Sequence, residues 1–294
     1  MNTQEIRRDT VAILGLGKVG TAVGYLLRKA GYRIVAVASR SNASLNRGIV
    51  YTGGKPHLNF SAAALAANCI IIATSDDAIA HVCKKISSEK GISPGDKVIH
   101  MSGAGGLDLL ESAQDAGARV ACIHPLQSFA DVDGAIRSIP GSTFGITSPD
   151  ETREWSVKMV RDLGGTPLFI ADPDKPLYHA AACIASNYLT ALIYMVEEIF
   201  QSIGLSREDA IRAVWPLVMG TIANIETKGT VQALTGPVSR GDAGTIRKHA
   251  EALRKKMPTL LQTYSALGVV TAELGLRKKT LSPKAARLIK ELLK

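Results

Sequence analysis

The sequence predicts an α/β protein: an N-terminal doubly wound Rossmann domain followed by an all-α C-terminal domain. Three observations carry that prediction. Through residue 172, short apolar runs rich in Val and Ile alternate with helix-period segments, the pattern of a parallel sheet covered on both faces. Gly15-Leu16-Gly17-Lys18-Val19-Gly20 follows the first of those runs and opens a helical stretch. After Asp172 no strand pattern recurs, and Pro173 and Pro176 punctuate the change. The two domains are accordingly drawn as 1–172 and 173–294.

In chain order, the expected strands are 10–15, 32–39, 68–74, 96–102, 118–125, 142–148 and 165–172, each an unbroken apolar run with polar or glycine flanks. Helical patterns at 18–30, 61–67, 77–88, 107–116 and 150–163 separate most of them. The C-terminal segments 176–203, 206–226, 243–256, 258–275 and 282–293 keep a helical period, and Asp242 is placed to cap the third.

With 46% hydrophobic and 21% charged residues, the 294-residue chain has ample material for a core, which excludes a disordered protein. Aromatics are only 5%, so that core is built from Ala, Val, Ile and Leu. Cys69, Cys83, Cys122 and Cys183 form no C-x-x-C pair and no disulfide framework, and no metal site is expected. The N-terminus lacks a signal-peptide apolar region, and residues 180–196 are interrupted by Ser186, Asn187, Tyr188 and Thr190. That stretch reads as too short and too polar to span a membrane, so a soluble cytoplasmic protein is expected. The net charge of +9 lies wholly at the end: residues 1–246 hold 23 basic and 23 acidic residues, residues 247–294 hold 12 and 3. Such a tail reads as the solvated face of terminal helices. Without a zinc-finger or RNP motif, and with few aromatics for stacking, a nucleic-acid partner is not expected.

The glycine motif predicts a dinucleotide. Gly15 permits the tight turn, Gly17 lets the backbone approach a pyrophosphate, and Gly20 lets helix pack on strand; Gly24 extends that packing. Leu16, Lys18 and Val19 complete the loop. At the end of the second strand an NAD enzyme places a carboxylate, whereas this chain has Ser39-Arg40-Ser41. Arg40 can pair a 2′-phosphate with the two serine hydroxyls beside it, so NADP is the expected cofactor. Thr74-Ser75-Asp76, after the strand at 68–74, is expected to line the same cofactor; Asp76 or Asp77 equally suits a helix N-cap.

Hydride transfer to a carbonyl or imine leaves charge on oxygen or nitrogen, so a proton donor is needed nearby. His124, at the end of a strand and followed by Pro125, fits that role, and fits a turn histidine as well. Ser102 can hold the same substrate atom, and Ser128 lies on the loop that follows His124. On the junction helix, His179, Ser186 and Thr190 recur at i, i+7 and i+11, with Asn187 beside them, and Lys175 begins the segment. They form either a cleft-facing polar stripe or hydroxyls bonded back to their own helix. Arg240, in Gly236-Pro237-Val238-Ser239-Arg240-Gly241-Asp242, can clamp a substrate carboxylate or solvate a turn.

HMSGAGGLDLL, IHPLQSF, DKPLYHAAACIASNYL and GPVSRGDAGTIRKH, in that order over nearly the whole chain, resemble the Rossmann-like proteins that carry a C-terminal domain of unknown function 2520. The resemblance implies a helical dimerisation domain, hence a homodimer, and a C-terminal domain akin to that of 6-phosphogluconate dehydrogenase. It also implies kinship with pyrroline-5-carboxylate reductase, ketopantoate reductase and prephenate dehydrogenase. Prephenate dehydrogenases carry a strand-end Ser and, about twenty residues later, a His-Pro whose His contacts the reacting hydroxyl. Ser102 and His124-Pro125 are similar in order and spacing. Hydroxyacid dehydrogenases instead use Lys and Asn one helical turn apart. Here Lys175 precedes Asn187 by twelve residues, about 18 Å along a straight helix, and so departs from that pattern. The expected function is NADPH-dependent reduction of a small oxo acid, ketopantoate-like, or of an imine, in a cleft between the domains. His124 donates the proton, Ser102 and Asn187 orient the substrate, and His179 or Lys175 assists. A non-catalytic NADP-binding sensor or scaffold is the alternative.

Overall fold

A computed structural model describes residues 9–294. Among the described residues, eight strands form one sheet: β1 (Thr10–Leu14), β2 (Arg33–Ala38), β3 (Lys55–His57), β4 (Cys69–Ile72), β5 (Lys97–His100), β6 (Arg119–Pro125), β7 (Thr143–Thr147) and β8 (Thr166–Phe169). Their order is β3-β2-β1-β4-β5-β6-β7-β8. From β3 to β6 every neighbour is parallel, as the alternation of strands and helices predicts. The wholly parallel sheet expected from that alternation is incorrect: β7 runs antiparallel to β6, with Pro125 opposite Phe144, and β8 follows β7 in parallel. The apolar runs of β6 and β7 carry no mark of direction, because a strand buried on both faces has the same side-chain pattern either way.

The core matches the aliphatic composition. On one face of the sheet Ile13, Leu27, Ile71, Ile99 and Phe144 pack together; on the other Leu14, Ile70, Ile72, Ile79 and Leu110 do so, and all ten are fully buried. Three elements escape the sequence patterns. Strand β3 is three residues long, and Lys55 and Pro56 are exposed. The helices Asn42–Thr52 and Val132–Ser138 begin at Ser41 and Asp131, whose side chains accept from the amides of Ser44 and Gly134.

The chain divides into two compact units, one ending at Ser186 and the other comprising Asn187–Lys294. The division falls beyond the change of pattern at Asp172, because Lys175 is 1% exposed and bonds to Ser102 and Cys122 of the sheet unit. In the second unit, Ile246, Ala272, Leu281, Ala286, Ile289 and Leu293 form a small core. Asp242 caps its helix as expected, accepting from the Thr245 amide at 3.0 Å. The helix Arg207–Ala233 contains Pro216 and is broken at Gly229, where φ is 74°.

The helical run Asp172–Ser202 is, by length and composition, long and apolar enough to cross a membrane, and none of its most apolar window is buried. The expectation that this stretch is too short counted only 180–196, whereas helical backbone continues on both sides. Its middle, Ile184–Tyr188, is a π-helical turn. The spacing i, i+7, i+11 therefore does not place His179, Ser186 and Thr190 on one straight α-helical face, since each π turn adds a residue to the count.

Candidate active site

The three motif glycines answer to different constraints. Gly15 has φ of 111°, and a Cβ there would lie 2.6 Å from the Ala73 carbonyl oxygen. Gly17 begins the helix Lys18–Lys29 and has open space where a side chain would stand. Gly20 packs against the Gly15 carbonyl so closely that no Cβ fits, and a Cβ at Gly24 would strike Ile13 and Thr52. The result is an exposed helix N-terminus over a bare backbone, which is the geometry an anionic pyrophosphate needs.

A cavity of about 700 Å³ opens there, lined by Gly15, Leu16, Gly17, Lys18, Ser39 and Arg40 among others. Ser44, Arg47 and Tyr51 join them from the helix Asn42–Thr52. Sequence reasoning missed these three because that helix was not recognised; the cap at Ser41 was its available signal. Ser41 itself serves as the cap, accepting from the Ser44 amide at 3.3 Å, and is not among the lining residues. A second cavity, about 360 Å³, shares Gly17, Lys18, Ala73, Thr74 and Ser75 with the first and adds Val19, Asp76, Met101 and Phe129. Ser75, not Asp76 or Asp77, is the N-cap of the helix Asp76–Ser88; the two aspartates lie in its first turn, where their charge suits the helix dipole.

The loop after β5 is held at both ends. His100 is fully buried; its Nδ1 accepts from the Ser102 amide at 3.2 Å and its Nε2 lies 2.9 Å from the Gly106 carbonyl. The Leu107 amide donates to Asp172 Oδ1. Ser102 is 2% exposed, and its Oγ accepts from the Gly105 amide at 2.9 Å, so it shapes this turn and keeps its own proton to donate. Beneath it, the Ser102 carbonyl accepts from the Cys122 thiol and from Lys175 Nζ, which also donates to Cys122 Sγ at 3.0 Å. Burial pushes the Cys122 thiol up to about 11 despite that ammonium.

His124, near the end of β6, meets two side chains of the helix Lys175–Cys183. Its Nδ1 is 2.9 Å from the Tyr178 hydroxyl, and its ring stands edge-on to that of His179, centroids 6.1 Å apart. Both imidazoles abut Gly103: a Cβ there would lie 2.9 Å from His124 Nε2 and would collide with the His179 ring. His179 Nδ1 is 4.0 Å from Cys183 Sγ. The structure thus brings Ser102, His124, Lys175 and His179 together around one glycine, and adds Tyr178, to which the sequence assigned no role. Ser128 is exposed, its amide bonded to the Gln127 side chain. Asn187 and Arg240 belong to the other compact unit; Arg240 ends a single helical turn, Pro237–Arg240, stopped by Gly241 with φ of 74°.

Burial, reinforced by the Lys175 charge, lowers both His100 and His124 to about 4. In the unfolded chain a histidine titrates near 6.5, so on acidification the unfolded state takes up protons first. Native stability is therefore whole above about pH 6.5 and is lost as pH falls toward about 4. Melting temperatures should decline through that window, and His100→Asn should leave a shallower decline, due to His124. An undiminished slope in the variant would refute the buried neutral His100.

Residues 142–271 match the model of domain of unknown function 2520, and residues 2–125 match that of a Rossmann-like domain. The chain thus carries a Rossmann-like domain followed by a DUF2520 domain. No curated protein matches this DUF2520 protein. Among solved structures, a Bacteroides fragilis protein described as an inferred NADP oxidoreductase is 19% identical, with 90% of this chain and 98% of that one covered and a TM-score of 0.74. A reductive aminase from Aspergillus terreus, in complex with NADPH and ethyl levulinate, is 20% identical, covering 97% and 99%, with a TM-score of 0.61. A pyrroline-5-carboxylate reductase from Coxiella burnetii is 18% identical, covering 98% and 100%, with a TM-score of 0.58. At these identities the DUF2520 protein shares their fold.

Proposed function

We propose that this DUF2520 protein is an NADPH-dependent oxidoreductase that reduces a small oxo acid of ketopantoate type or an imine. One observation carries the reading: the cavity at the glycine motif adjoins a second one that reaches Met101 and Phe129. Those residues belong to the same two strand-end segments as Ser102 and His124. The named activities of the reductive aminase and the pyrroline-5-carboxylate reductase are in keeping with it, and favour keeping the imine beside the oxo acid.

The residues present fit the cofactor, since a side-chain-free cradle at Gly17 sits in one cavity with Ser39 and Arg40. The Gly17 turn and the helix start at Lys18 hold the pyrophosphate, while Ser39 and Arg40 take the 2′-phosphate. NADPH, when bound, supplies the hydride. His124 gives a proton to the substrate's oxygen or nitrogen, and His179 and the Ser102 hydroxyl orient that atom. Lys175 holds the Ser102 segment in place from below. Ser128 is assigned to the mouth of the site.

Arg40→Ala should weaken NADPH binding about 10- to 100-fold, the loss of one charge-assisted contact, and leave NADH affinity unchanged. Calorimetric titration of both cofactors checks this, and equal affinity of the wild type for the two would refute the assignment of NADP. Activity itself is tested by following NADPH absorbance with 2-oxo acids and cyclic imines. Tight NADPH binding with no oxidation by any of them would leave the sensor or scaffold reading.

The partner in this proposal is a second copy of the chain. Trp215, Leu217, Met219, Ile222 and Ile225 are exposed on one helix of the C-terminal unit, more apolar surface than an isolated helix keeps in water. A cytoplasmic location belongs to the same reading.

A further inference from the structure

We propose that Tyr178 fixes His124 as its Nε2–H tautomer and stands behind it as the source of the proton that replaces the one His124 gives away. The proton-transfer half rests on the function proposed above; the tautomer does not.

The Tyr178 hydroxyl and His124 Nδ1 are 2.9 Å apart, a distance that allows either atom to donate. Two features decide the direction. The phenol is the stronger acid and the imidazole nitrogen the better acceptor, so O–H···N is favoured over N–H···O. The phenol is also held where it can donate. Strand pairing sets Gly145 opposite His124, and the phenol packs over its bare Cα. The close approach depends on the missing side chain: a Cβ on Gly145 would lie 2.7 Å from the Tyr178 oxygen. A phenol seated there has His124 Nδ1 within reach of its proton. Nδ1 then accepts, and the ring carries its hydrogen on Nε2.

Nε2 is the nitrogen that faces Gly103 and the His179 ring, on the side of the loop bearing Ser102. The ring is neutral near pH 7, since burial and the Lys175 charge lower it to about 4, and burial raises the phenol to about 12 so that it keeps its proton. A neutral imidazole acting alone would have to become an imidazolate on giving up Nε2–H. With Tyr178 behind it, one proton leaves Nε2 for the substrate's oxygen or nitrogen as another passes from the phenol to Nδ1. The ring ends neutral in its other tautomer. The negative charge rests on the phenolate, until water returns a proton. Tyr178 is thus a positioning and relay residue, never in contact with the substrate.

The test is nitrogen-15 NMR of histidine-labelled protein at pH 7 without substrate, with the His124 signals assigned by their loss in His124→Gln. The wild type should show a bare Nδ1 and a protonated Nε2. In Tyr178→Phe the proton should shift toward Nδ1, and in Gly145→Ala, which displaces the phenol without removing it, the same shift should appear. A protonated Nδ1 in the wild type, or an unchanged tautomer in both variants, would overturn the proposal. Should Tyr178→Phe fail to fold, Gly145→Ala carries the comparison. If turnover is found, Tyr178→Phe should lower kcat at unchanged KM, and an unchanged kcat would overturn the relay. A bare Nδ1 in a protein that reduces no carbonyl or imine would refute the proposed function while leaving the tautomer assignment intact.

Discussion

His124→Ala is expected to slow NADPH oxidation by about 10²- to 10⁴-fold, the usual share of a positioned proton donor. The corresponding barrier increase is about 3–5 kcal/mol. The expectation follows from where the ring is held. It is pinned from behind by Tyr178, flanked by His179 and open toward the loop at Gly103, which has no side chain to block it. Affinity for NADPH should remain within about twofold, because His124 lines neither cavity at the glycine motif. The pair of measurements is therefore a steady-state rate and a cofactor titration on one variant. Full activity in His124→Ala would discard its role, and a collapse of NADPH binding would show that the substitution had damaged the fold.

Gly15→Ala is expected to destabilise the N-terminal unit by roughly 2–6 kcal/mol, combining backbone strain with overpacking. The backbone at 15 has φ of 111°, a region that side chains rarely enter, and the added methyl would meet the Ala73 carbonyl oxygen, carbonyl carbon and Thr74 amide all within 3 Å. That obstacle is the backbone just past β4, paired to β1 through the Ala73 amide and the Leu14 carbonyl, so it cannot yield without loss of pairing. A fall in Tm of about 5–20 °C, with loss of NADPH affinity, should follow. Gly17→Ala provides the contrast. Nothing stands within 4 Å of its Cβ position, so the protein should melt normally yet bind NADPH less well. Equal melting temperatures for Gly15→Ala and the wild type would contradict the strained turn.

How much of this was legible beforehand depended on the kind of signal. Strands such as Cys69–Ile72 are continuous aliphatic runs, and all four residues are buried, so composition alone located them. The helix Asn42–Thr52 was illegible because its apolar residues are few and Gly48 interrupts them. Gly48 is there because Leu16 of the glycine motif packs where its side chain would be, a demand from elsewhere in the chain. The reversal at β7 left no local trace, since inward-facing residues on both faces look alike in either direction. Among the candidates, Ser102 and His124 stand out by residue type and strand-end position, and Lys175 and His179 by their place on the junction helix. Tyr178 does not, because its part comes from a contact with Gly145 that only the antiparallel pairing of β6 and β7 creates. The supposed stripe through Ser186 and Thr190 failed for a related reason: a π turn changes phase without any distinctive residue.

The buried amine of Lys175 also bears on how the molecule can be taken apart. A fragment ending at Asp172, where proline and the change of pattern invite a cut, would strip the Ser102 carbonyl and Cys122 thiol of their shared donor. It would discard Tyr178 and His179 as well, leaving His124 with an unsupported ring. The compact unit that holds these groups ends at Ser186. Genetic dissection or shuffling of the two halves therefore has its natural seam inside a helix, a place that boundary-finding by loops and prolines would pass over.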